Sequence, residues 1–144
     1  MANWKTLQTV NLSSNADPNF KLAKISENTK GVVFDLRQYN KGKTTKTGIC
    51  LPPPEAKWLF DCLQSCKTKS ILEHNKRRLS FERSKDLNII ITRGDGSERN
   101  ITLSKEEETC LKCSINTLLT QMNKRALELG QNISFNNFEY VNEM

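Results

Sequence analysis

The stretch Gly31 to Leu51, GVVFDLRQYNKGKTTKTGICL, constrains this chain more than any other. It reads as a strand, a basic turn and a second strand. Val32, Phe34 and Leu36 are apolar at every second position, with Val33, Asp35, Arg37 and Tyr39 between them. That is the period-two pattern of a half-buried strand. Asn40-Lys41-Gly42-Lys43 supplies Asn and Gly for the positive φ of a tight turn. The return strand is expected to place Thr45, Thr47, Ile49 and Leu51 on one face and Lys46, Gly48 and Cys50 on the other. One face of the hairpin is then apolar. The other carries Arg37, Tyr39 and Lys46, with Lys41 and Lys43 at the tip. A sheet with one buried face and one basic, partly aromatic face is a platform for a polyanion. The plain alternative is a solvated hairpin whose lysines only keep it soluble.

Around this hairpin the chain alternates between strand and helix signals. Trp4 to Leu12 alternates, but Trp4, Leu7 and Val10 also fit a helical stripe, so its state stays open. Ser13 to Pro18 has loop composition. Phe20 to Glu27 reads as a strand. Pro52-Pro53-Pro54-Glu55 ends the sheet and opens a helix, where proline lacks only an N–H that would be unpaired anyway and Glu suits the dipole. The face of that helix is Trp58, Leu59, Cys62, Leu63 and Cys66, with Trp58 as a core anchor. Lys67 to Ser70 is a linker, with Ile71 and Leu72 packed after it. Arg78 to Arg83 alternates through Leu79 and Phe81, and Leu87, Ile89 and Ile91 alternate next. Gly94-Asp95-Gly96-Ser97 is a hairpin turn into Arg99 to Leu103. Ser104 and Glu107 form a capping box. The helix it opens has the face Leu111, Ile115, Leu118, Leu119, Met122 and Ala126, runs to about Leu129, and stops at Gly130. The tail Gln131 to Met144 carries Phe135, Phe138, Tyr140 and Val141 without a period. A docked strand and a mobile end both fit it.

The order of parts occurs twice. ICLPPPEAKWLFDCL from Ile49 parallels ITLSKEEETCLKCSINTL from Ile101, each a strand ending Ile-x-Leu before a capped helix. GVVFDLRQY parallels LNIIITR. A sheet-then-helix unit of this size buries its apolar face poorly alone, so two copies are expected to share one core. The predicted fold class is α+β: two sheet-then-helix repeats, curved antiparallel sheets backed by helices, forming an intramolecular pseudo-dimer. The expected divisions are an arm at 1–19, a first repeat at 20–70, a second at 71–130 and a tail at 131–144.

Charge and chemistry narrow the function. The net charge of +6 favours an anionic partner. No apolar run approaches the roughly 20 residues of a membrane helix, and MANWKTLQTVNLSS lacks a secretion pattern, so an intracellular home is expected. Five cysteines stand at 50, 62, 66, 110 and 113. The pairs Cys62/Cys66 and Cys110/Cys113 have helical spacing, and the one histidine, His74, sits in a charged stretch, Glu73-His74-Asn75-Lys76. These read as reduced, small core cysteines rather than as a zinc site. No phosphate loop or nucleophile elbow is visible. Neither an enzyme nor a cofactor is expected.

Asp35-Leu36-Arg37-Gln38-Tyr39, the basic turn, Thr47-Gly48-Ile49-Cys50-Leu51 and Pro54-Glu55-Ala56-Lys57-Trp58 occur in that order. Together they resemble the C-terminal domain of the positive-cofactor-four transcriptional coactivators. There an Arg-Glu-Tyr strand, a basic loop, Lys-Gly-Ile-Ser-Leu and Pro-Glu-x-x-Trp follow one another. The resemblance spans Lys30 to Leu63, and the tandem layout is similar to the related Pur-type and Whirly-type folds. It implies curved four-stranded sheets that pair through their helices and bind single-stranded DNA or melted duplex. It matches Arg37 to the family's backbone-contacting arginine, and Lys43 and Lys46 to its basic loop. Asn40 stands where the family has a stacking tryptophan, which leaves stacking to Tyr39, or to Phe20 or Phe81 where exposed. Thr47 replaces the family's lysine. Thr92 stands where Arg37 would repeat, so the second face is poorer, with Arg77, Arg78, Arg83, Arg93 and Arg99 as its remaining cations.

The expected function is therefore single-stranded DNA binding of low sequence specificity, in transcription or replication in the nucleus. Lys24, Lys30, Arg37, Lys41, Lys43 and Lys46 would neutralise phosphates, and Tyr39 would stack on bases. RNA is the rival ligand. A homodimer or the transcription machinery is the expected protein partner, and a protein-interaction module without a groove is the alternative class.

Overall fold

In the computed structural model the described residues are 4–13, 18–29, 31–65, 68–74, 76–131 and 139–143. Four strands come first: β1 (Lys5–Asn11), β2 (Asn19–Asn28), β3 (Gly31–Asn40) and β4 (Lys43–Leu51). Helix α1 (Pro53–Gln64) follows them. Then come β5 (Lys69–His74), β6 (Arg77–Arg83), β7 (Leu87–Thr92), β8 (Glu98–Leu103), helix α2 (Lys105–Glu128) and β9 (Glu139–Glu143). The strands make two antiparallel sheets, ordered β1-β2-β3-β4 and β8-β7-β6-β5-β9. Among the described residues the protein is α+β, with two antiparallel sheets and two helices.

The alternating apolar residues all face one core. Phe34, Leu36, Ile49, Trp58, Leu59, Phe81, Ile89, Ile101, Leu111, Ile115 and Met122 belong to a single buried cluster drawn from both sheets and both helices. Trp58 is fully buried, edge-on to Phe81 at 6.4 Å, and its indole Nε1 donates to Ser70 Oγ at 3.3 Å. The two helices pack on each other, α2 also lies against β2 and β3, and β4 runs close to β8 although they belong to separate sheets. The end of α2 is tied to the first sheet by polar contacts. Arg125 pairs with the buried Glu27, and the Gln131 side-chain amide exchanges two hydrogen bonds with the Val32 backbone, at 2.7 and 3.1 Å.

Several local expectations change. Trp4 to Leu12 resolves as a strand, β1, with a bulge at Leu7 that interrupts the helical stripe. The expected linker before Ile71 is in part strand, because β5 begins at Lys69 and His74 is its last residue rather than part of a loop. Residues 139–143 add β9 alongside β5. In the β3–β4 turn the positive-φ residues are Lys41 (52°) and Gly42 (80°), while Asn40 and Lys43 pair as strand partners. Both central residues are left-handed, as a two-residue hairpin loop of matching twist requires. The Lys41 N–H donates to the Pro18 carbonyl at 2.8 Å. Cys50 and Cys113 are exposed, so of the expected core cysteines Cys62 is the buried one and Cys110 is half-buried. Cys66 and Lys30 lie outside the described residues.

Gly48 packs tightly against β3. A Cβ there would meet the Leu36 carbonyl oxygen at 2.7 Å and Arg37 Cα at 2.9 Å, both backbone atoms that cannot swing aside. Gly48→Ala is expected to destabilise the fold by about 2 kcal/mol through overpacking, read as a lower urea midpoint.

The capping box at α2 does more than cap. Glu107 accepts from the Ser104 N–H, from Lys21 Nζ at 2.8 Å and from Ser13 Oγ at 2.6 Å, joining the helix to β2 and to the second residue past β1. Burial works against its charge, but Lys21, Ser13 and the Ser104 N–H outweigh it and hold the carboxyl below the ordinary value of 4.5. A depressed folded value stabilises the fold above the ordinary carboxylate range. That contribution is lost as pH falls through the folded value. Glu107→Gln is expected to flatten the fall in stability below about pH 4.5, measured by urea unfolding at stepped pH.

Candidate nucleic-acid interface

Residues opposite one another in an antiparallel pair share a face. The ladder therefore assigns Phe20/Tyr39, Leu22/Arg37/Gly48, Lys24/Asp35/Cys50 and Ser26/Val33 to the outer face of the first sheet. Its aromatic end is a stacked pair, with the Phe20 and Tyr39 rings 5.3 Å apart at 6°. Lys24 Nζ donates to the Tyr39 hydroxyl at 3.1 Å and lies 4.0 Å from Asp35 Oδ2. Arg37 is held on two sides: Nη2 donates to Asp35 Oδ1 at 3.0 Å, and Nη1 to the Thr45 carbonyl at 3.0 Å. Asp35 itself is buried at 9% exposure. Its carboxylate positions both cations and leaves the middle of the face one positive charge in excess.

The hairpin tip adds the rest. Arg37 pairs with Gly48 but Tyr39 pairs with Thr44, so Thr45 to Thr47 bulge opposite Gln38. Tyr39 and Thr44 pair regularly beside the turn. Unbroken pairing from there would set Lys46 opposite Arg37; the bulge puts Gly48 there instead and leaves the exposed Lys46 within the bulge. Lys41, Lys43 and Lys46 are exposed and make no ion pair among the described residues.

A groove of about 290 Å³ opens on this face. Lys24, Asp35, Arg37, Thr44 and Cys50 line it, and so does Trp4, which is 52% exposed. Although part of Cys50's surface stays exposed, packing of its thiol into the groove and the Asp35 carboxylate push that thiol up to about 11, so at neutral pH it is a neutral S–H. Sequence reasoning missed Trp4, because the period of Trp4 to Leu12 was ambiguous. It also missed Asp35 as the organiser of Arg37 and Lys24. The alternation that brings Lys24 opposite Asp35 was the available signal.

The second sheet is arranged differently. Arg77 is bound to Glu55 at 2.9 Å and donates to the Cys50 carbonyl at 3.1 Å. Arg78 pairs with Glu73, both half exposed, and Arg83 pairs with Glu108 at 2.7 Å while lying over the Phe81 ring. Arg93 and Arg99 are exposed. The cations expected for a second binding face are therefore largely committed to carboxylates. Phe81 is fully buried, which removes it as a stacking residue, whereas Phe20 is half-buried and stacked on Tyr39.

No protein-family model matches the chain, and no curated protein matches it in sequence. Among the described residues no helix is long and apolar enough to cross a membrane.

Proposed function

We propose that this chain binds single-stranded nucleic acid, DNA in the first instance, across the outer face of its first sheet. The observation that carries the reading is the composition of that face. An oriented arginine and lysine, a stacked aromatic pair and an exposed tryptophan lie on one sheet surface, beside three exposed tip lysines. Phosphates would pair with Lys24, Arg37, Lys41, Lys43 and Lys46, and bases would lie against the aromatic groups. The tip lysines contact phosphate and read no base edge, so specificity along the strand is low. A role in transcription or replication, in the nucleus, belongs to the same reading.

The element order supports a tandem repeat folded as a pseudo-dimer. Four strands and a helix occur twice, helix packs on helix, and the last strand of each four lies beside its counterpart. In this reading the second unit supplies the partner that homodimers of the resembled family supply in trans. Its paired arginines suit a structural part better than an equal binding surface.

The test is an anisotropy titration with matched labelled DNA and RNA strands at low and moderate salt. Binding of the DNA strand at low salt is expected, with at least about tenfold weakening in Arg37→Ala, the loss of a charged hydrogen-bonding group. Tighter binding of RNA would move the proposal to RNA. An absence of binding at low salt, or unchanged binding by Arg37→Ala, would sink it.

A further inference from the structure

The groove on the first sheet is more enclosed than a flat stacking platform needs. It holds about 290 Å³, room for one planar heterocycle and part of its sugar, between the Trp4 indole, Val33, Asp35 and Cys50. Ser26 lines it as well. Ser26 is 3% exposed, and its hydroxyl oxygen has no hydrogen-bond partner among the described residues. Buried hydroxyls without partners are uncommon and call for an explanation, such as a partner that arrives with a ligand. Asp35 has acceptor capacity to spare. A carboxylate offers about four lone-pair sites. Arg37 binds Oδ1 closely, whereas Oδ2 receives a long 3.4 Å contact from Arg37 Nε and lies 4.0 Å from Lys24 Nζ.

We infer that this groove takes one base of the bound strand, turned out of its stack and laid against Trp4, with its N–H groups toward Asp35. The inference rests on the reading that this face binds a single strand, and it adds a position where the base matters. Adenine, cytosine and guanine carry an exocyclic amino group that a carboxylate accepts from. Thymine and uracil present one N–H flanked by two carbonyl oxygens, which a carboxylate repels. The groove therefore favours amino-bearing bases at one nucleotide, while the tip lysines hold the flanking phosphates without regard to sequence. Trp4 supplies the stacking surface that Asn40 does not.

The experiment compares an all-thymidine DNA strand with the same strand carrying one central deoxycytidine. Anisotropy reports binding and intrinsic tryptophan emission reports the groove, since Trp58 is buried in the core. The cytidine-bearing strand is expected to bind about two- to tenfold more tightly, the range of one added hydrogen bond, and to quench the emission. Trp4→Leu, an exposed substitution, is expected to abolish both the quenching and the preference. Ser26→Ala is expected to reduce the preference. Binding of both strands with equal affinity and no quenching would overturn the groove assignment and leave the proposed function standing. No binding of either strand at low salt would overturn both.

Discussion

Replacing Glu55 with alanine is expected to destabilise the whole fold by about 3 kcal/mol, roughly 10 °C in Tm. Glu55 lies in the first turn of α1, fully buried, and its carboxylate accepts from His74 Nε2 and from Nε and Nη2 of Arg77. Arg77 reaches on to the Cys50 carbonyl. One carboxylate thus joins β4, α1 and the β5–β6 hairpin, linking the two sheets through α1. Removing it leaves the Arg77 guanidinium and the nearly buried His74 ring without their shared acceptor, and breaking a buried pair from one side is strongly destabilising. Were Glu55 only a complement to the helix dipole, the loss would stay under about 1 kcal/mol. Urea unfolding of Glu55→Ala and of the isosteric Glu55→Gln, which keeps a neutral acceptor, separates the two. A midpoint for Glu55→Ala within error of the parent would remove the role as a junction between the sheets.

The second large effect concerns salt. With five cations engaged, Lys24, Arg37, Lys41, Lys43 and Lys46, single-strand affinity should fall with a log–log slope of about −3.5. That is about a 100-fold loss between 50 and 200 mM salt. The triple variant Lys41→Ala, Lys43→Ala, Lys46→Ala should shorten the slope by about 2 and cut the loss to under about tenfold. Its fold should be intact, since all three side chains are exposed and outside the core. Lys41 is in fact held at φ 52°, where a non-glycine residue is disfavoured. An unchanged slope in the triple variant would show that the tip does not touch phosphate.

Much of this protein was legible from local pattern. Period-two alternation placed β2, β3 and β6 to β8, and the Pro-Pro-Pro-Glu and Ser-x-x-Glu signals placed the starts of both helices, because each signal depends on residues within one or two turns of chain. The apolar faces Trp58, Leu59, Cys62, Leu63 and Leu111 to Ala126 were read for the same reason, while Cys66, expected on the first, lies past the end of α1 and outside the described residues. Less was legible at the candidate interface. Arg37 and Tyr39 were found by alternation, but their constraint by Asp35 and Phe20 was not. Among the arginines, sequence alone could not separate Arg93 and Arg99, which stay exposed, from Arg77, Arg78 and Arg83, which meet carboxylates up to 25 residues away in the chain.

The basic hairpin from Gly31 to Leu51 shows where the division falls. Its strands, its core face and its positive tip follow from the sequence by itself, since side chains alternate and lysine is charged wherever it is exposed. Tertiary structure decided the rest. The β4 bulge set Gly48 rather than Lys46 opposite Arg37, β1 brought Trp4 to the groove across the sheet, and Glu55 turned from a helix-opening acid into a buried junction. Each of these depends on which distant backbone or charge lies within hydrogen-bonding reach, and that is set only when both sheets and both helices close on their common core.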